Sequence, residues 1–173
     1  MLGVCFVRRC AIIDRKSGKR GMRMISRTYE VGYLKRYKYV VILSTCCGKI
    51  MLSRHKERST WETQGGHVEP GETPMEAARR ELYEESGAVD YDIRALCDYW
   101  AGDEITGEGA TGRVFHAQIH ELGPMPDSEM EEVHLFDTLP ENLTYPAITP
   151  ELFAYLFREG KQDADSDWND EPV

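Results

Sequence analysis

Residues 66–88 read GHVEPGETPMEAARRELYEESGA and contain the strongest structural signal in the chain. Their second half predicts a helix, because Thr73 is a favourable N-cap, Pro74 suits the first helical position, and Glu76 completes a capping box. No helix-breaking residue follows until Gly87, which is a favourable stop. The sequence therefore predicts one helix that begins at Thr73, ends near Gly87 and is entered from a glycine-rich loop.

Three glutamates of this helix, Glu81, Glu84 and Glu85, are spaced i, i+3 and i+4, so a helix places them on one face. Like charges at this spacing destabilise an isolated helix by roughly a few tenths of a kcal/mol per pair. Arg80 can pair with Glu84, and the remaining carboxylates favour a cation. Carboxylate oxygens select hard metals, above all Mg²⁺ in phosphate chemistry. The pattern therefore predicts Mg²⁺ as a cofactor, with Mn²⁺ as a substitute.

The other face of the helix carries Met75, Ala78 and Leu82, which predicts that it docks on a sheet. The whole stretch matches G-x₅-E-x₇-R-E-U-x-E-E-x-G-U, where U is apolar, without a departure. Seven fixed residue types at set spacing have a chance probability on the order of 10⁻⁹ per start position. This pattern resembles the Nudix box, and residues 37–158 resemble a Nudix hydrolase domain of the MutT-like kind.

The resemblance implies an α/β fold, namely an α/β/α sandwich around a mixed β-sheet, with the box as loop–helix–loop. The residue pattern on either side of the box agrees with this expectation, because β-branched and apolar runs alternate with turn signals. It predicts strands at Tyr37–Thr45, Ile50–Ser53, Tyr91–Trp100, Arg113–His120 and Glu132–Phe136. A second helix is predicted to begin at Thr149 and to end at Gly160.

The resemblance also implies a metal site and a catalytic set. Glu81, Glu84 and Glu85 would ligate a divalent metal, together with the backbone carbonyl of Gly65. Arg80, Glu81 and Glu84 form the expected catalytic group, in which Arg80 holds a glutamate in place. A water activated by the metal would then attack a phosphorus of a diphosphate.

The residue that accepts the proton from this water varies within the family. Glu81 is the first choice as general base, and a later carboxylate, Glu129 or Glu132, is the alternative. Glu72 is expected to brace the loop that precedes the helix.

The resemblance implies Mg²⁺-dependent hydrolysis of a diphosphate linkage in a nucleoside di- or triphosphate derivative, such as the oxidised nucleotide 8-oxo-dGTP. One departure from relatives that clean nucleotide pools is Gln64, which stands where proline is common. Two alternatives stay open. The first is an enzyme similar to isopentenyl-diphosphate isomerases, whose chemistry needs a further cysteine and glutamate. The second is a regulator that binds a nucleotide without cleaving it, although such proteins usually have a damaged box.

Three residues outside the box are candidates for substrate binding. Arg54 and Arg58 lie in the segment that leads to the box and could meet phosphates. Asn142 precedes the second helix and offers both a donor and an acceptor, so it could pair with a purine edge. A solvated loop for the arginines and a turn for Asn142 are the structural alternatives.

The domain organisation follows from charge and composition. Residues 37–160 form the predicted Nudix domain, and residues 161–173 are an acidic tail expected to be disordered. Residues 1–36 are an N-terminal arm or a mis-called extension, with room for a first strand. Because Met22 and Met24 could each serve as a start, residues 1–23 could be an upstream addition.

Bulk composition limits the partners. The net charge of −9 disfavours nonspecific duplex binding, so no specific nucleic-acid duplex is expected. No apolar run is long enough to span a bilayer, so no membrane is expected. The five cysteines form no C-x-x-C pair, which favours free thiols and a cytoplasmic location. The expected partner is a nucleotide-like diphosphate substrate, and a homodimer is left open.

Overall fold

The computed structural model describes the backbone of residues 24–166 and the side chains of residues 24–159. The predictions for residues 1–23 and 167–173 therefore lie outside the described residues. The strands are β1 (Met24–Tyr29), β2 (Tyr39–Cys46), β3 (Lys49–His55), β4 (Trp61–Glu62), β5 (Gln64–His67), β6 (Ala88–Asp103), β7 (Gly109–Leu122) and β8 (Met130–Phe136). The helices are α1 (Pro74–Ser86) and α2 (Thr149–Ser166).

The strands form one mixed sheet. Its order is β1-β6-β7-β2-β3-β4, with β5 paired to β2 and β8 paired to β3. The central pair, β2 and β7, is parallel, and the neighbouring pairs are antiparallel. On its other edge β2 changes partner near Leu43: its first half pairs with β5 and its second half with β3. This change of partner brings β5 beside α1.

Each face of the sheet is covered by one helix. Side chains of a strand alternate between faces, and Ile42 and Leu43 of β2 accordingly enter different cores. Ile42 packs in the cluster that contains Ala78 and Leu82 of α1. Leu43 packs in the cluster that contains Phe153 of α2. The predicted α/β/α sandwich is therefore confirmed.

Helix α1 has the termini that its sequence predicts. The Thr73 hydroxyl accepts a hydrogen bond from the backbone N–H of Glu76 at 3.2 Å, and the Glu76 carboxylate accepts one from the Thr73 N–H at 2.8 Å. Gly87 ends the helix at φ 70°, a left-handed conformation that glycine adopts without steric cost. The helix that carries the acidic residues is thus fixed at both ends by its own sequence.

Two strands and one helix end differ from the prediction. Strands β4 and β5 occupy a segment for which the sequence predicts a loop. Strand β1 lies where the sequence leaves room for a first strand, and it pairs with β6. The predicted end of the second helix at Gly160 is wrong, because α2 continues to Ser166. A glycine inside a helix costs only about 1 kcal/mol relative to alanine, and Lys161 and Gln162 are good helix formers.

A buried carboxylate holds the connection between β1 and β2 against the sheet. Asp98 of β6 is 0% exposed. It accepts hydrogen bonds from the backbone N–H groups of Gly32 and Leu34 at 3.0 and 2.9 Å, and from the Tyr37 hydroxyl at 3.0 Å. Arg113 of β7 donates to the same carboxylate at 2.9 Å. The loop position therefore depends on one side chain.

Two further observations concern the predictions about membrane helices and cysteines. Neither described helix is long and apolar enough to cross a membrane. Within the described part of the chain, Cys46, Cys47 and Cys97 are free thiols.

Candidate active site

Arg80 is the centre of the ion pairs on the acidic face of α1. Its Nε donates to Glu72 Oε1 at 2.8 Å, and its Nη1 donates to Glu81 Oε1 at 2.8 Å. The predicted pair with Glu84 is present but longer, at 3.3 Å. Nη2 donates to Glu72 Oε2 and to the carbonyl of His67. One guanidinium thus ties the helix to the loop before it.

Glu72 is held firmly as an anion. Hydrogen bonds from Arg80 and from the backbone N–H of Glu69 lower its pKa to about 2. These contacts give Glu72 the geometry expected of a residue that braces the box loop.

Glu85 lies in a much less polar environment. Its carboxylate accepts one hydrogen bond, from the backbone N–H of Gly65 at 2.7 Å. Burial raises the pKa of Glu85 to about 8, and the nearby carboxylates of Glu81, Glu62 and Glu129 add to the rise, while the Gly65 N–H opposes it. A buried acid with acidic neighbours is a group that a bound cation would stabilise.

The backbone of Glu85 is fixed as well as its side chain. The Ser53 hydroxyl of β3 donates to the Glu85 carbonyl at 2.7 Å, and the Gln64 amide donates to Ser53 at 2.7 Å. Gln64 is fully buried. Proline, common in relatives at the position of Gln64, has no side-chain donor for this contact. Gln64, which stands where proline is common, therefore has a structural role.

The carboxylate of Glu81 packs closely against the backbone of Gly66 in β5. A Cβ atom added to Gly66 would overlap the Glu81 carboxylate. Burial raises the pKa of Glu81, although the hydrogen bond and charge of Arg80 act in the opposite direction. The glycine is required here by the close approach of the Glu81 side chain, since its φ is ordinary.

Gly66→Ala is therefore expected to move Glu81 without unfolding the domain. The overlapping atoms belong to the flexible end of Glu81, so the side chain can give way. We expect kcat to fall about tenfold or more, with a melting temperature within a few degrees of wild type. Parallel measurement of turnover and thermal unfolding checks this, and unchanged turnover would contradict the assigned contact.

The acidic residues of α1 are chemically suited to bind a divalent cation. Within residues 24–159, no three His, Cys, Asp or Glu side chains already converge as a ligand set. The reason is visible in the contacts: Arg80 engages Glu81 and Glu84, whereas Glu85 turns to Gly65. Burial, together with neighbouring carboxylates, raises the pKa values of Glu81 and Glu85, and a bound cation would oppose this rise. Hard oxygen donors of this kind select Mg²⁺ or Mn²⁺.

A cavity of about 510 Å³ opens beside Glu85. Its walls combine apolar and aromatic side chains with a few charged ones, which is typical of small-molecule sites. The residues that line the cavity include His55, Arg58, Glu62, Gly65, Glu85 and Glu129. The cavity therefore joins the acidic end of α1 to a space large enough for a nucleotide-sized ligand.

Glu62 is a site residue that sequence reasoning missed. Its side chain is only 6% exposed, and Arg58 pairs with it at 2.8 Å. Both residues line the cavity, and Glu62 contributes to the raised pKa of Glu85. The only signal in the sequence was a charged residue between Trp61 and Thr63, which does not distinguish a buried carboxylate from an exposed one.

The other predicted substrate and base residues have separate positions. Arg58 lines the cavity, but Arg54 does not. Arg54 instead pairs with Glu131 at 2.7 Å and with Glu132 at 2.9 Å. Asn142 donates its amide to the Ser59 carbonyl at 2.8 Å, which is the turn role. The structure thus brings Arg58 and Glu129 to the cavity and places Arg54, Glu132 and Asn142 outside its lining.

The α/β/α sandwich and the acidic helix beside a cavity define the structural class of this protein. Comparison with known proteins gives the family within that class. A model of the NUDIX domain matches residues 35–147. The chain therefore belongs to the Nudix family, and the identification made from the sequence is confirmed.

Its relatives are named as hydrolases of this family. The chain is 34% identical over 110 residues to "Putative 8-oxo-dGTP diphosphatase YtkD" of Bacillus subtilis (strain 168), which covers 62% of this chain and 66% of that protein. It is 33% identical over 61 residues to an RNA pyrophosphohydrolase of Francisella philomiragia, covering 35% and 39% of the two chains. The match thus spans slightly less than two thirds of the first curated relative and about two fifths of the second.

A solved structure extends the similarity across the fold. The crystal structure of the pyrophosphohydrolase BsRppH of Bacillus subtilis superposes with a TM-score of 0.68 at 25% identity. The superposition covers 80% of this chain and 93% of that one.

Proposed function

We propose that this protein hydrolyses a diphosphate linkage in a nucleoside triphosphate derivative, with Mg²⁺ as cofactor and Mn²⁺ as a substitute. An oxidised deoxynucleotide such as 8-oxo-dGTP is the proposed substrate, which agrees with the name of the Bacillus subtilis relative. The observation that carries the proposal is Glu85, a buried acid with a pKa of about 8, in the wall of a cavity that also contains Arg58.

The residues of α1 would hold the metal. Glu81, Glu84 and Glu85 supply carboxylate oxygens, and the Gly65 carbonyl is the proposed backbone donor. When bound, the divalent cation supplies positive charge to the phosphate oxygens and lowers the pKa of the attacking water. Arg80 orients Glu81 and Glu84, while Gly65 orients Glu85. Arg58 is the proposed contact for a substrate phosphate, held in place by Glu62.

Hydrolysis needs a group that accepts a proton from water. The water oxygen forms a bond to phosphorus, its proton passes to a carboxylate, and the bridging P–O bond breaks to release a phosphate or pyrophosphate anion. Glu81 is restrained by Arg80 and Gly66, and Glu132 is bound to Arg54. Glu129 lines the cavity with an exposed side chain, so its position favours it as the base.

A second candidate is removal of pyrophosphate from the 5′ end of a triphosphorylated RNA. It is supported by the similarity to the RNA pyrophosphohydrolase of Francisella philomiragia. Both candidate reactions cleave a diphosphate linkage. They differ in the substrate that the cavity must accept, a free nucleotide or the 5′ end of an RNA.

The test is a comparison of kcat/KM under Mg²⁺ for 8-oxo-dGTP, dGTP, a 5′-triphosphorylated RNA oligonucleotide and isopentenyl diphosphate. We expect hydrolysis of a triphosphate, loss of activity with EDTA, and recovery with Mg²⁺ or Mn²⁺. dGMP should be inert, since it has no diphosphate linkage. Full activity in metal-free buffer, or no hydrolysis of any diphosphate-containing substrate, would contradict the proposed function.

A further inference from the structure

An irregularity in the sheet lies beside the cavity. Strands β3 and β8 are in regular register until Arg54 pairs with Glu132, and the next pair is His55 with Met130. Glu131 is therefore an extra residue on β8. A β-bulge of this kind changes the direction of the side chains next to it and is often found near active sites.

His55 lies next to this bulge and in the cavity wall. The backbone N–H of Glu57 donates to His55 Nδ1 at 3.0 Å. Because Nδ1 accepts this hydrogen bond, the proton of the neutral ring lies on Nε2. Nε2 is 3.4 Å from Glu129 Oε2. The protonated nitrogen of the ring therefore lies beside the Glu129 carboxylate, at ion-pair distance.

Glu129 has few other restraints on its side chain. Its backbone carbonyl accepts a hydrogen bond from the Lys56 N–H at 2.9 Å, which fixes the main chain against β3. The carboxylate itself is 87% exposed and has His55 as its ion-pair partner. His55, in contrast, is only 15% exposed. The ordered ring can therefore set the direction of a side chain that would otherwise sample many rotamers.

We propose that His55 is a positioning residue that holds the Glu129 carboxylate over the cavity for proton transfer. The inference rests on the proposed function, in which Glu129 is the general base. His55 does not contact the phosphate in this role and acts only through Glu129. Its loss should therefore lower kcat and leave KM nearly unchanged.

The kinetic test compares His55→Ala, His55→Gln, Glu129→Gln and the double variant His55→Ala/Glu129→Gln with the wild-type protein, using the best triphosphate substrate. Glu129→Gln should lower kcat about 100-fold or more, in the range of general-base catalysis. His55→Ala should lower kcat about tenfold, and His55→Gln should restore most of it, since its amide can still donate. The double variant should be no slower than Glu129→Gln alone.

A matched control comes from the neighbouring pair on the same loop. Lys56 and Asp127 also join β3 to residues 123–129, at 3.4 Å, but neither lines the cavity. Lys56→Met should retain wild-type kcat. Equal losses in Lys56→Met and His55→Ala would mean that both only tether the loop, and additive losses in the double variant would mean that His55 acts independently. Either result would overturn the inference.

A measurement without substrate separates this inference from the proposed function. The ¹⁵N chemical shifts of the His55 ring should report a protonated Nε2 and an unprotonated Nδ1, and Glu129→Gln should perturb the Nε2 signal. The opposite tautomer would overturn the role of His55 even if the enzyme is active. Absence of hydrolysis by the wild-type protein would contradict the proposed function and, with it, the catalytic part of this inference.

Discussion

Glu85→Gln is expected to lower kcat by about 100-fold or more and, in the absence of metal, to make the protein more stable at pH 8. The loss of turnover follows from replacing an anionic ligand by a neutral amide of the same shape. The gain in stability has a separate origin, because burial opposes ionisation of Glu85 in the folded protein.

The direction of the pH effect follows from proton binding. The pKa of Glu85 is raised from 4.5 to about 8 in the folded state, so between these values the folded protein binds more protons than the unfolded chain. Stability contributed by neutral Glu85 is present below pH 4.5 and is lost as the pH rises towards 8. The loss is on the order of a few kcal/mol, since each pKa unit corresponds to about 1.4 kcal/mol.

Denaturant unfolding in EDTA between pH 5 and pH 9 measures this effect. Wild type should lose stability across the window, and Glu85→Gln should lose much less. Glu84→Gln is the control for stability, because Glu84 is half exposed and its pair with Arg80 is long, so its free energy of unfolding should stay within about 1 kcal/mol of wild type. Parallel pH curves for wild type and Glu85→Gln would show that Glu85 is ionised in the metal-free protein.

Asp98→Ala is expected to destabilise the fold by about 3–5 kcal/mol, the usual cost of removing one partner of a buried ion pair. Arg113 would lose its carboxylate, and the N–H groups of Gly32 and Leu34 would lose their acceptor. The melting temperature should fall by on the order of 10 °C.

Asp137→Ala is the matched control for this substitution. Asp137 pairs with Lys49 at 3.1 Å but is 83% exposed, so its removal should cost less than about 1 kcal/mol. Similar losses in the two variants would mean that burial of Asp98 does not determine its contribution.

Local sequence was sufficient for the part of the fold that carries the acidic residues. The N-cap at Thr73 and the stop at Gly87 depend on contacts within a few residues, so the boundaries of α1 could be predicted closely. The same holds for the face on which Glu81, Glu84 and Glu85 lie, since helical spacing alone determines it.

Strands β4 and β5 could not be predicted in the same way. The segment that contains them has two consecutive glycines and no apolar alternation, and its strand character comes from pairing with β2 and β3. Such pairing depends on residues distant in sequence, which local propensity does not report. For strand β1 the sequence leaves room for a strand within residues 1–36, but its bounds at Met24–Tyr29 depend on pairing with β6.

The substrate-binding predictions show the same limit. Arg54 and Arg58 are equivalent in sequence, as two basic residues in one segment. The structure distinguishes them only through their carboxylate partners: Glu62 holds Arg58 at the cavity, whereas Glu131 and Glu132 hold Arg54 outside its lining. Asn142 has its turn role because Ser59, far away in the sequence, supplies the acceptor.

The parallel pairing of β2 with β7 has a consequence for synthesis of the protein on the ribosome. Tyr39 of β2 pairs with Gly112 of β7, and the platform under α1 includes Phe115 and Ala117 of β7. All four proposed metal-binding residues are translated before β7 exists. Contacts between such distant segments form slowly, because the intervening chain must first lose much of its freedom. The nascent chain therefore carries the proposed metal-binding residues for dozens of residues before it can bury the helix that bears three of them.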